Sequence, residues 1–288
     1  EALLLQSKFV EAETQAREGL SEILEVGGST FPSTGYHVFG LGNVLLATGR
    51  NEEAKLLAET ALQIFSESAP LDEKSLPVSA LRFTLATAAV ITDDWPAAAE
   101  QANLFKQYHG GFDSPLMKAE PQGAALISLI DLKDKKYTEA LTRAELSKAL
   151  IIKKEGSDSQ NVVGAIALEA TILEAMGRDD EALNKFKSIR PYLTGIGLDT
   201  NLNLTGLDNH INAKLWQISG DSYLRLLNRT NQDQLGNISV IEESFLVAQV
   251  MDNSATDKAL AAASARSIGE NSGLGQLIRA LQDLQVRR

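Results

Sequence analysis

The chain has 288 residues, 44% of them hydrophobic, with 38 acidic against 27 basic side chains and a formal net charge of −11. That apolar share supports a packed core rather than disorder, and the acidic surface repels phosphate backbones, so no nucleic-acid partner is expected. Cysteine is absent, which excludes disulfides, thiolate metal sites and cysteine nucleophiles within these residues.

In chain order, the first recurring step is Phe9-Val10-Glu11-Ala12. Equivalent steps follow at Asn51-Glu52-Glu53-Ala54, Trp95-Pro96-Ala97-Ala98, Tyr137-Thr138-Glu139-Ala140 and Asp179-Asp180-Glu181-Ala182. Their alanines stand 42, 44, 42 and 42 residues apart, a register that defines an internal repeat. Four residues after each alanine come Ala16, Ala58, Ala102, Ala144 and Phe186. Small side chains at i and i+4 share one helix face and let a neighbouring helix approach closely. The turns Thr48-Gly49-Arg50, Thr92-Asp93-Asp94 and Met176-Gly177-Arg178 precede second helices, and Pro96 suits a helix start. Leu41 to Leu62 is the clearest unit, two helical patterns meeting at a turn. Three residues before the repeat alanine, Phe9, Trp95 and Tyr137 are expected to plug the turn with a ring.

After Pro191 the register loosens. Thr194 to Asn209 is rich in Gly, Asn and Asp and reads as an irregular link. Ile211 to Leu227 reads as a helix, Asn228 to Asn237 as a polar linker and Val240 to Val250 as another helix. No run reaches the roughly 18 apolar residues of a membrane span, so no membrane insertion is expected. Both ends read as mid-helix sequence, which predicts a piece of a longer protein.

Gly42, Ala86, Ser128 and Ala170 each stand twelve residues before their repeat's alanine. With the aromatic at the turn and small residues on the second helix, these marks resemble the tetratricopeptide repeat (TPR), in a form whose period is about 42 rather than about 34 residues. The resemblance implies an all-α fold, a right-handed α-α superhelix (a TPR solenoid) of about five helical hairpins over residues 1–192. Residues 193–252 would form a degenerate capping hairpin, as terminal repeats do. The tail 253–288 is similar to the spacer that joins bacterial TPR arrays to a C-terminal CHAT domain, a caspase-related peptidase-like module. By that resemblance the chain is the partner-binding, regulatory part of such a protein, its partners a protein or peptide and its own C-terminal domain. A stand-alone TPR adaptor or co-chaperone is the alternative.

Catalysis within these residues is not expected. His37, His109 and His210 are dispersed, with no partner at metal-ligand spacing, and no segment forms a nucleophile elbow. Neither a cofactor nor a metal is expected. A histidine with Asp or Glu in a helical-array hydrolase is the remaining enzymatic reading. The acidic pairs Glu52-Glu53, Asp93-Asp94 and Asp179-Asp180 read as complements to helix dipoles, and Lys133 to Lys136 and Lys153-Lys154 as solvated faces. Cysteine absence fits bacterial cytoplasm and export equally.

TPR arrays use first-helix positions to bind peptides. Carried over, these positions are Tyr36, Phe39, Asn43 and Leu46, then Phe83, Thr87 and Val90 in the next hairpin. Asn43 falls where carboxylate-gripping TPRs place an asparagine, but Phe39 replaces the expected lysine, so that clamp is absent. Tyr36, Phe39 and Phe83 read either as an aromatic docking strip or as core between hairpins.

Overall fold

The computed structural model describes residue 3 and residues 8–68, 75–109, 121–195, 207–229, 234–235 and 238–251. The tail from 253, and most of the link expected at 194–209, lie outside the described residues. The fold is all-α. Its helices are α1 (Phe9–Gly27), α2 (Pro32–Ala47), α3 (Asn51–Ser68), α4 (Leu76–Ile91), α5 (Trp95–His109), α6 (Pro121–Lys133), α7 (Tyr137–Glu155), α8 (Gln160–Ala175), α9 (Asp179–Ser188), α10 (Arg190–Thr194) and α11 (Leu207–Arg229). A further helix, α12, covers 240–251. Strands β1 (Gln234–Leu235), within the expected polar linker, and β2 (Ile238–Ser239), just after it, form a two-residue antiparallel ladder. The chain forms two compact units, divided within α4 after Thr84.

The repeat is visible in the backbone. In four turns an amide bonds to the carbonyl five residues back, namely Arg50 to Leu45, Asp94 to Ala89, Lys136 to Asp131 and Arg178 to Leu173, at 2.8–2.9 Å. The preceding residue is left-handed each time: Gly49 (φ 79°), Asp93 (61°), Lys135 (61°) and Gly177 (73°). This is the Schellman stop, which satisfies the last carbonyls of the first helix and turns the chain back. Glycine adopts that conformation without strain, whereas Asp93 and Lys135 hold it at a cost of about 1 kcal/mol. The turn Asp134-Lys135-Lys136 therefore belongs with the three read from sequence, although its residues carry no turn signature.

All five repeat alanines are buried, Ala12 at 6% exposure and Ala54, Ala98, Ala140 and Ala182 at 0%. The residue twelve positions earlier lies against this site. A Cβ on Gly42 would stand 3.5 Å from the Ala54 carbonyl oxygen and 3.4 Å from Leu57 Cβ. In the equivalent place the Ser128 hydroxyl donates to the Ala140 carbonyl at 2.7 Å. Small residues are needed because the two helix backbones nearly touch here.

The rings expected to plug the turns do not. Phe9, Trp95 and Tyr137 are only half-buried. The Schellman hydrogen bonds close the turn by themselves, leaving the ring to lie over its edge. Trp95 donates its indole N–H to Asp93 at 3.2 Å and carries the Lys133 ammonium 4.8 Å above its ring.

In the first unit α2 packs between α1 and α3, with Leu20, Val38, Leu41, Leu45, Leu57 and Phe65 at the core. In the second unit α6, α7, α8 and α9 pack pairwise in sequence order. Its largest core gathers Leu173, Phe186, Ile189, Leu193, Tyr223, Leu226 and Val247 from α8 to α12. Residues after Pro191 thus share one core with the last repeat. Pro191 opens α10, and Gly195 (φ 68°) ends it in the left-handed conformation. Helix α11 starts at Leu207, inside the expected link, and runs to Arg229.

Candidate functional site

The row of residues expected to meet a partner splits in two. Leu46, Thr87 and Val90 are 0%, 1% and 0% exposed, so these three are core positions and offer no surface. The reason is their register: α2 and α4 are apolar nearly all round, and the row drifts from the outer face into the packed one. The other four remain accessible. Tyr36 is 48% exposed, its ring set edge-on to Phe65 at 4.9 Å between centroids. Phe39, Asn43 and Phe83 are half-buried. The Thr84 hydroxyl donates to Asn43 Oδ1 at 3.1 Å, joining α2 to the middle of α4 beside the strip. Helical spacing puts Tyr36, Phe39, Gly40 and Asn43 on one side of α2, while Val38, Leu41 and Leu45 face the core. The strip is thus an aromatic surface resting on core, with Asn43 as its fixed polar group.

His37 is exposed, and its ring lies where a side chain on Gly19 would stand, 3.1 Å from that position. The side chains of His109 and His210 lie outside the described residues. Among the described residues no three acids or histidines are grouped to hold a metal, and no helix is long and apolar enough to cross a membrane.

A scan against models of known protein families finds no match for this chain, and a search of curated proteins finds no match either.

Sequence reading missed a set of buried acids in the second unit. Asp131 on α6 is 1% exposed and is held by Lys106 of α5 at 2.9 Å and by Arg143 of α7. Glu169 on α8 is 0% exposed and sits between Lys148 of α7 and Lys185 of α9, at 2.5 and 2.6 Å. The cations keep repeat register. Lys106, Lys148 and Arg190 each stand eight residues after a repeat alanine, and Arg143 and Lys185 stand three after. Each of these two acids is therefore clamped by the preceding second helix and by its own. Arg190 extends the pattern to Glu243 of α12 at 2.8 Å, where the Tyr223 hydroxyl also donates at 3.1 Å. Burial and the Glu243 carboxylate push the Tyr223 phenol well above its ordinary range.

Glu174 closes the series. It accepts from Ser222 at 2.9 Å, Arg225 at 2.9 Å and Arg229 at 2.6 Å. Burial favours its protonated form, but these bonds together outweigh burial and hold the carboxyl below its ordinary value. Two of the acidic pairs read as dipole complements have tertiary partners as well, Asp93 with Lys214 at 2.5 Å and Asp179 with Arg229 at 2.9 Å. Asp94 does cap α5, accepting from the Ala97 amide at 3.2 Å. A lone acid within an apolar helix, with cations recurring in register on both neighbours, is the signal that would have found these clamps.

The second unit also holds a narrow apolar cleft, lined by Ala125, Leu129, Ile151, Ala165, Ile211 and Leu215 with Asn161 and Asn212 among them. Asn161 is committed to Glu155, to which it donates at 2.9 Å. The clamps hold helices together.

Proposed function

We propose that this chain is a protein-interaction scaffold, a TPR-type right-handed superhelical array whose first-helix face receives a protein or peptide. The observation that carries the reading is the accessible strip Tyr36, Phe39 and Asn43 on α2, with Phe83 on α4. Partly exposed aromatic side chains on rigid helices are costly to leave in water and offer large apolar area at little entropic loss on binding. The recurrent turn geometry and the five buried repeat alanines support the array. By resemblance of the tail, the array is the regulatory half of a CHAT-type peptidase-like protein, and partner capture is passed to the catalytic module through the spacer. The adaptor reading needs only the strip.

Affinity capture with the full chain, followed by mass spectrometry, tests this. A triple variant Tyr36→Ala, Phe39→Ala, Phe83→Ala is expected to lose the principal partner while keeping its helical circular dichroism. Recovery of the same proteins by both forms would sink the scaffold assignment for this face. A native reading frame with no separated histidine and cysteine downstream would remove the CHAT assignment and leave the adaptor.

A further inference from the structure

Mid-helix glycines are expensive, about 1 kcal/mol each relative to alanine, and are kept where something must approach the backbone. Among the described mid-helix glycines, four have such a neighbour within 3.4 Å. A Cβ would stand 3.1 Å from the His37 ring at Gly19, 2.6 Å from the Phe65 ring at Gly35, 3.4 Å from Leu57 at Gly42 and 2.5 Å from Met251 at Gly220. Gly40 differs. It lies inside α2, it is exposed, and a Cβ built there meets nothing within 4 Å. The fold gives α2 no return for that glycine.

Its surroundings are chemically one-sided. Tyr36 stands one turn before it and Asn43 one turn after, and Phe39 adjoins it. Helix α2 contains no Asp, Glu, Lys or Arg of its own. On the α1 side the His37 ring covers Gly19, and the exposed carboxylates Glu18 and Glu22 stand beside and one turn along from that glycine. Exposed Glu25 continues the acidic row along α1, while Glu11 at the other end of the helix is paired with Lys8 at 3.9 Å. The patch therefore offers a bare backbone trough, an aromatic wall and a negative rim.

We propose that Gly40 marks where a basic segment of a partner protein docks. The segment's backbone passes over Gly40, an apolar side chain rests on Tyr36 and Phe39, and a lysine or arginine faces Glu18 and Glu22. This rests on the scaffold reading and specifies its ligand. Charge complementarity chooses the sign: an acidic segment would meet carboxylates along α1 and find no cation on α2.

The test is selection of short random peptides, displayed on phage, against the full chain. Fluorescein-labelled copies of the winners are then titrated by anisotropy. Selected peptides are expected to be rich in Lys or Arg beside an aromatic or aliphatic residue. Gly40→Leu, and separately Glu18→Lys with Glu22→Lys, are each expected to weaken binding by about tenfold or more. Gly40→Ala serves as the second trough variant should Gly40→Leu fail to fold, and it should raise the thermal midpoint while weakening binding. Peptides that bind wild type and both Gly40 variants equally would overturn this inference and leave the scaffold reading standing, as would selection of acidic peptides. Failure to select any peptide would overturn both.

Discussion

The α2–α3 hairpin of the first unit and the α6–α9 stretch of the second solve one packing problem with different chemistry. Both end the first helix in the same Schellman turn and bury the same repeat alanine. Eight residues after that alanine, however, the first two repeats place Leu20 and Leu62, and the next three place Lys106, Lys148 and Arg190. Leu20 is fully buried in an apolar core, whereas the three cations hold Asp131, Glu169 and Glu243. Apolar packing tolerates sliding more readily, because the hydrophobic effect is non-directional. A buried carboxylate bound from two helices fixes register, because its charge is tolerated only where both partners reach it. The second unit is built to hold its helices in one alignment. The first carries its accessible aromatic strip on a largely apolar frame, in which one buried acid, Glu13 of α1, is held by Arg17 and by Arg50 just before α3.

Breaking a clamp should show the largest effect. Glu169→Gln leaves Lys148 and Lys185 facing a neutral amide, and urea unfolding is expected to show a loss of about 3–5 kcal/mol. Combining Glu169→Leu with Lys148→Met and Lys185→Met should recover much of it, since no charge is then stranded. If the triple variant is no more stable than the single one, the carboxylate is not the organising group. Glu174 gives an intermediate effect with a pH signature. Its carboxyl is held below its unfolded value, so the unfolded chain binds the proton more tightly. Its contribution is complete above the ordinary glutamate range and is lost as pH falls through the lowered folded value. Glu174→Gln should cost about 1.5–3 kcal/mol at neutral pH and flatten this part of the acid limb, as read by denaturation at several pH values. The smallest change is the sharpest comparison. Ser128→Ala removes one hydrogen bond to Ala140 and should cost about 1 kcal/mol, while Gly42→Ser, at the equivalent place, gains a donor toward Ala54 and should cost less. Equal losses would mean that the two hairpins are not equivalent at this position.

Much of the fold was legible in the chain. Local signals with a fixed period are physical requirements of each hairpin: small residues where backbones meet, and turn residues where the helix must stop. Thus the repeat alanines, the Gly49 and Gly177 turns and the helix expected at Val240 to Val250 stand as read. The functional surface was less legible. Leu46, Thr87 and Val90 share helical spacing with Tyr36 and Phe39, and spacing alone does not tell which apolar residue a neighbour covers.

What the sequence determined by itself was the repeat, the all-α class and the position of three of the four recurring turns, because these depend on contacts within a few tens of residues. What only the tertiary structure decided was which side chains stay in water and which charges find each other. Lys214 meets Asp93 across 121 residues, and Arg190 meets Glu243 across 53. Such pairings depend on the register of several packed helices at once. No pattern within a single hairpin encodes that register.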